Sequence, residues 1–185
     1  MRIVLNRALT GDILDLGGGG EGVIGRIYGM QVTAIDVSRE ELDEAPGVCR
    51  KLVMDATAMT FPDASFDHVT SFYTLMYMTA EQQRLALREA ARVLRPGGTL
   101  QIWDAAFPAP YPEPFLAEMD IDANGTPIRT TYGVIKLDGQ SAEDIAALAE
   151  NAGLVTIGKD EREGHFHMRF VRPDPMIIRT EEDET

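Results

Sequence analysis

Cysteine, basic charge and long apolar runs are all scarce in this sequence. The single cysteine, Cys49, cannot form a disulfide within the chain, which is typical of a reducing compartment and predicts a cytoplasmic location. The chain has 17 basic and 30 acidic residues, a net charge of −13, so nucleic acid and anionic membrane surfaces are not predicted partners. No apolar run approaches the roughly 18 residues of a membrane span, and the N-terminal stretch is too short for a signal peptide.

The composition is that of one globular domain. The chain has 185 residues, of which 44% are hydrophobic and 25% charged. Folding a chain of this length can bury about 70% of its unfolded surface, so the core needs no disulfide or structural metal to be stable. We therefore predict a single domain over residues 1–185, with an acidic tail at 173–185.

Short apolar runs alternate with stretches of helical period over the first 105 residues. The predicted strands are 13–16, 32–35, 51–54, 66–72 and 100–103, and helices are predicted at 23–28, after Ser38, and from 79 to about 94. Alternation of this kind requires crossover connections. It predicts an α/β fold with a doubly wound, mostly parallel sheet.

The pattern changes after residue 105. Residues 106–140 read as an insert, with a hairpin of 116–122 and 127–136 around the turn signal Asn124-Gly125. A helix then begins at Ser141, and two apolar runs, 154–157 and 166–171, are joined by a polar link. We predict that these runs add an antiparallel C-terminal pair, giving seven strands.

The chemistry is concentrated in a glycine-rich segment that follows the first predicted parallel strand. Gly17, Gly19 and Gly22 match the dinucleotide fingerprint G-x-G-x-x-G, and Asp36 lies 19 residues after the first of them. That match alone fits an NAD-dependent oxidoreductase as well as other nucleoside-binding proteins. Asp15 lies two residues before the loop, where its charge would repel a pyrophosphate and attract a cationic ligand.

With Asp15 the pattern resembles the class I S-adenosylmethionine-dependent methyltransferases, whose first motif is an acidic residue followed by alternating glycines. Further segments match that family in order: Asp36 at the end of the second strand, Met54-Asp55-Ala56-Thr57 after the third, Phe61-Pro62-Asp63-Ala64-Ser65-Phe66-Asp67 before the fourth, and Val93-Leu94-Arg95-Pro96-Gly97-Gly98 before the fifth. The resemblance covers about 12–105 closely and 141–172 loosely. It implies the Rossmann-like methyltransferase fold.

The resemblance also implies a cofactor and its binding residues. The cofactor would be S-adenosylmethionine, leaving S-adenosylhomocysteine as product, and the acceptor a small molecule. The implied cofactor-binding residues are Asp15, Gly17, Gly19, Glu21, Asp36, Val37, Asp55, Ala56, Ser71 and Phe72. Among these, Glu21 stands where the family usually has its third glycine, so the loop is either re-routed or uses Glu21 to contact the ligand.

The acceptor site is less well defined by the sequence. Candidates for its walls are Tyr77, Trp103, Phe107, Tyr111 and Tyr132. No catalytic residue is identified, and Tyr77 and Asp104 are candidate bases by location only. His165 and His167 are spaced like metal ligands, but no third ligand accompanies them, so no metal is predicted.

Few residues precede the first predicted strand, whereas the family usually has helices there that help to close the site. We therefore expect an open site, or one completed by the 106–140 insert or by the second subunit of a homodimer. A non-catalytic nucleoside-binding module is the second alternative to a methyltransferase.

Overall fold

The structure is a computed structural model that describes residues 1–108, 114–135 and 138–174. Within these ranges the strands are β1 (Arg2–Leu5), β2 (Ile13–Leu16), β3 (Val32–Asp36), β4 (Arg50–Val53), β5 (Phe66–Phe72), β6 (Leu94–Ala105), β7 (Phe115–Ala123), β8 (Thr126–Val134), β9 (Val155–Arg162) and β10 (His165–Val171). The helices are α1 (Val23–Tyr28), α2 (Arg39–Glu44), α3 (Ala80–Val93) and α4 (Ala142–Asn151).

Seven strands form the main sheet, in the order β4-β3-β2-β5-β6-β10-β9. β2 to β6 are parallel to one another, and β10 is antiparallel to both β6 and β9. This confirms the predicted α/β fold with its antiparallel C-terminal pair. The strand order reverses between β2 and β5, and in open α/β sheets ligands bind at the carboxyl ends of the strands beside such a switch point.

Helices cover the two faces of the main sheet. α3 and α4 pack on one face, where Leu87, Ala90 and Ile145 are fully buried with Leu100 and Phe170 of the sheet. α3 begins as predicted, because Thr79 and Gln82 form a reciprocal capping box. On the opposite face, α1 packs over β3 and β5.

A second, three-stranded sheet lies on the α1 face, in the order β1-β7-β8. β7 and β8 form the hairpin predicted around Asn124-Gly125. β1 was not predicted; it pairs in parallel with β7, from Arg2 with Asp120 to Leu5 with Ala123. Its Ile3 and Leu5 are buried with the apolar side of the hairpin, so the N-terminal segment anchors the hairpin to the body of the protein.

The other differences from the predicted elements concern strand ends. The predicted polar link at 158–164 is wrong for most of its length, because β9 continues to Arg162 and only Glu163 and Gly164 form the turn. β9 is an edge strand whose polar side chains remain exposed, so an apolar pattern is not required there. β6 begins at Leu94, before the predicted 100, since Gly97 and Gly98 hydrogen-bond with Arg172.

Candidate active site

A cleft of about 1030 Å³ opens at the carboxyl ends of β2, β3 and β5. Its size is near the upper end for pockets that hold small molecules and cofactors. The walls include the glycine loop 17–22, the residues that follow β3 and β4, the segment that follows β5, and Tyr132 of β8. The cleft therefore lies at the switch point of the main sheet, with the second sheet on one side.

The glycine loop lines the cleft almost entirely with backbone atoms, because most of its residues have no side chain. A Cβ on Gly17, whose φ is +67°, would lie 2.3 Å from the Thr74 side chain, and a Cβ on Gly19 would lie 2.6 Å from Glu41 Cβ. The Gly17 and Gly18 amides both donate to the Ile35 carbonyl, at 2.8 and 3.1 Å, which folds the loop back onto β3. Glycine is required here because there is no room for side chains, and a ligand can approach the backbone closely.

Asp15 lies in the cleft wall just before this loop. Its side chain is 3% exposed, and its Oδ1 accepts a 2.7 Å hydrogen bond from Thr70 Oγ1 on the neighbouring strand. Burial raises the pKa of Asp15 to about 7, and the charge of Asp36 adds to this, while the Thr70 hydrogen bond opposes it. A positive group bound nearby would restore the ionised form.

Two further carboxylates line the cleft at the ends of β3 and β4. Asp36 Oδ1 accepts a 2.9 Å hydrogen bond from the Ser38 amide, which fixes the carboxylate beside Gly19. At the start of α2 the Ser38 hydroxyl accepts a hydrogen bond from the Glu41 amide, while the Ser38 amide donates to Asp36. Asp55 Oδ1 accepts from the amide and the hydroxyl of Thr57, each at 2.8 Å.

The β7–β8 hairpin contacts the glycine loop through Glu21. Thr130 Oγ1 donates a hydrogen bond to Glu21 Oε1. Burial and the charge of Glu21 raise the pKa of Tyr132. Burial raises the pKa of Tyr77, and the backbone of Gly133 opposes this shift. β8 thus contacts the glycine loop through Thr130 and contributes Tyr132 to the cleft wall.

Tyr73 follows β5 directly and was missed by the sequence analysis, although its neighbours Phe72 and Tyr77 were named. It lines the cleft, and its φ of +51° places it in the left-handed region. Its ring stacks on Tyr132, with centroids 5.3 Å apart and planes 10° apart. Its hydroxyl lies 2.7 Å from His165 Nδ1.

The structure brings most of the predicted cofactor-binding residues together. The members of that set that line the cleft are Asp15, Gly17, Gly19, Glu21, Asp36, Val37, Asp55, Ala56 and Phe72. Ser71 does not line the cleft, and its side chain is fully buried. The cleft also includes Met54, Thr74, Met78 and Gln82, whose only sequence signal is that they follow the strand ends or begin the next helix.

The predicted acceptor-site residues divide into two groups. Tyr77 and Tyr132 line the cleft. Trp103 is placed outside the cleft walls because its ring stacks on His167, with centroids 4.3 Å apart, and Phe107 stacks on Phe115 instead. Tyr111 lies outside the described residues.

Asp104, a candidate base by location, is fully buried and accepts hydrogen bonds from Gln140 Nε2 and from the Ala105 and Met76 amides. Asp104 lies behind the cleft wall and is not one of the residues that line the cleft. Within the described ranges, no group of three or more potential metal-ligating side chains is found, and no helix has the length and apolar character needed to cross a bilayer.

Comparison with known proteins gives a consistent result. The family described as "Methyltransferase domain" matches residues 14–102. The chain is 36% identical over 114 residues to the O-methyltransferase resE of Aspergillus sclerotiorum, a match that covers 55% of this chain and 42% of that protein. It is 30% identical over 158 residues to the O-methyltransferase cnsE of Penicillium expansum, covering 78% of this chain and 52% of that protein.

The chain thus spans about half the length of these curated relatives. Among solved structures, an S-adenosylmethionine dependent methyltransferase from Mesorhizobium loti superposes with a TM-score of 0.62 at 19% identity, covering 87% of this chain and 90% of that one. At this level of identity the superposition shows the fold.

Proposed function

We propose that this chain is a class I S-adenosylmethionine-dependent methyltransferase, whose cleft binds S-adenosylmethionine and transfers the methyl group to a small-molecule acceptor. The match of residues 14–102 to the methyltransferase-domain family supports this proposal. The observation that carries this proposal is the buried carboxylate of Asp15 beside a floor of bare glycine backbone. A diphosphate would be repelled there, whereas a cationic nucleoside gains charge-assisted contacts. This disfavours the NAD-dependent oxidoreductase.

The residues in the cleft fit the cofactor in size and chemistry. In our assignment Asp36 binds the ribose hydroxyls beside Val37, and Asp55 and Ala56 meet the adenine edge. The backbone of Phe72 holds the methionine end, and the glycine loop approaches the nucleoside closely. The orientation of Asp36 by the Ser38 amide supports its role, since an acceptor fixed beforehand costs less to order on binding.

When bound, the cofactor supplies an electrophilic methyl group: the acceptor atom forms a bond to the methyl carbon, and the electron pair of the C–S bond goes to sulfur. The protein contributes position and exclusion of water. Phe72, Tyr73 and Tyr132 form an aromatic wall, and the hydrogen bond from Thr130 of β8 to Glu21 supports a cap formed by the 106–140 insert over the acceptor.

Two observations favour a small acceptor with a hydroxyl group. The relatives resE and cnsE are both named O-methyltransferases. The net charge of −13 opposes a nucleic-acid substrate. We further propose a cytoplasmic location, consistent with a single cysteine, and a homodimer in which a second subunit closes the remaining opening of the cleft.

Calorimetry with S-adenosylmethionine and S-adenosylhomocysteine, followed by transfer of a labelled methyl group to a panel of hydroxylated, amine and thiol compounds, tests this proposal. We expect one binding site and transfer to at least one hydroxyl compound. Absence of binding at millimolar ligand contradicts the proposal. Binding without transfer favours a non-catalytic nucleoside-binding module, and quenching or enhancement of NADH fluorescence favours an oxidoreductase.

A further inference from the structure

We propose that Tyr73 is the catalytic residue that accepts the proton of a hydroxyl acceptor while passing its own proton to His165. This inference rests on the proposed function, which it deepens by naming the groups that activate the acceptor. An alcohol or phenol is a weak nucleophile until its proton is removed, so transfer to oxygen benefits from a positioned base. The sequence offers only Tyr77 and Asp104 as candidate bases, and both by location alone.

The position of Tyr73 in the cleft is unusually well fixed. Its φ of +51° is strained for a bulky side chain, and such strain persists only where the surroundings enforce it. Its amide donates a 2.8 Å hydrogen bond to the Trp103 carbonyl, and its ring packs against Phe72 and Tyr132, with centroids 5.0 and 5.3 Å apart. This strained conformation places Tyr73 in the cleft wall with its hydroxyl directed at His165.

Tyr73 and His165 together form a proton-transfer pair, in which His165, the first residue of β10, is the proton acceptor. Its Nδ1 lies 2.7 Å from Tyr73 Oη, within reach for proton transfer. Burial holds the pKa of His165 below its usual range, so the imidazole is neutral at neutral pH and can accept a proton. Burial and Asp104 raise the pKa of Tyr73, which therefore stays a phenol that donates to His165. The other charged groups facing the pair are Glu163, Arg162 and the N-terminal ammonium.

The proton step balances without any further reactant. As the acceptor oxygen bonds to the methyl carbon, its O–H bond breaks and that proton goes to Tyr73 Oη. The original Tyr73 proton moves to His165 Nδ1. Tyr73 ends as a neutral phenol and His165 as an imidazolium, so the positive charge lost at the sulfonium is recovered on the imidazole. His165 is partly exposed and can release the proton to solvent.

The first test needs no acceptor. Nitrogen-15 NMR of the three histidines, assigned with the His165→Gln variant, should show His165 neutral at neutral pH with its proton on Nε2 and none on Nδ1. The Tyr73→Phe variant should raise the pKa of His165, because a hydrogen bond to the neutral ring is lost. A protonated Nδ1 in the wild-type protein at neutral pH overturns the proposal, since no proton could then be received.

The second test measures catalysis with catechol and 4-nitrophenol as acceptor probes, together with any hydroxyl compound methylated in the panel. Tyr73→Phe and His165→Gln should each lower kcat by about 100-fold or more while the affinity for S-adenosylhomocysteine is unchanged. The rise of kcat with pH through the His165 titration should disappear in His165→Gln. His167→Gln is the matched control, on the same strand face but stacked on Trp103 outside the cleft, and should behave as wild type.

Wild-type kcat in either variant overturns the proposal, as does transfer to amine or thiol acceptors with none to hydroxyl compounds. If the wild-type protein methylates nothing, the proposed function fails, and the NMR result still decides whether the pair can carry a proton.

Discussion

The buried carboxyl group of Asp15 should make the stability of the free protein fall as pH rises. Its pKa is raised from 3.8 to about 7, so the folded protein keeps a proton that the unfolded chain releases. The stabilisation from this proton is fully present below about pH 4 and is lost as pH rises to about 7. Since each tenfold change in an ionisation constant is worth about 1.36 kcal/mol, the loss amounts to about 4 kcal/mol.

The Asp15→Asn variant isolates this effect. Asparagine has the same shape and its carbonyl can still accept the Thr70 hydrogen bond, but it does not titrate. Urea unfolding of both proteins across the pH range should show the wild type losing about 4 kcal/mol relative to the variant between about pH 4 and pH 8. Other titrating groups are common to both proteins and cancel in the difference.

A second variant checks the cause. Thr70→Val keeps the carboxyl group but removes the hydroxyl that donates to it, so the pKa of Asp15 should rise further. The fall in stability should then extend to higher pH and become larger. If the unfolding free energies of wild type and Asp15→Asn change in parallel with pH, Asp15 is ionised in the free protein and the reasoning is refuted.

The remaining predictions concern the ligand and the cleft wall. Asp36→Ala should weaken binding of S-adenosylhomocysteine by about 1–3 kcal/mol in calorimetry; an unchanged affinity would mean that the ribose does not lie there. At pH 7, binding of S-adenosylmethionine should release about half a proton from Asp15, seen as a buffer-dependent heat that Asp15→Asn abolishes, whereas a buffer-independent heat would contradict the electrostatic role of Asp15. Asp104→Asn should cost about 1–3 kcal/mol of unfolding free energy, because its new amide group faces buried donors such as Gln140 Nε2, and an unchanged stability would contradict that hydrogen-bond arrangement.

Local signals in the sequence account for most of the main sheet. β5 was predicted at its observed limits, and α3 was predicted close to its own because the Thr79 capping box marks where that helix begins. The carboxylates that line the cleft follow from the same logic, since residues at the carboxyl ends of adjacent parallel strands meet at one edge.

Features that depend on distant partners were not predictable. β1 has four residues and gains its role only by pairing with β7, from the far half of the chain. Tyr73 and His165 are 92 residues apart, and nothing local marks either as the other's partner. Trp103 and Phe107, at the end of the last parallel strand and just after it, were predicted to line the acceptor site. Instead Trp103 stacks on His167 and Phe107 stacks on Phe115, and these contacts follow only from the tertiary structure.

A crystal structure of the protein grown with S-adenosylhomocysteine tests the central claim most directly. Our account predicts density for the nucleoside along the glycine loop, with both ribose hydroxyls on Asp36 and the amino group on the side of Asp15. An empty cleft at saturating ligand, or a nucleoside bound elsewhere on the molecule, would contradict it.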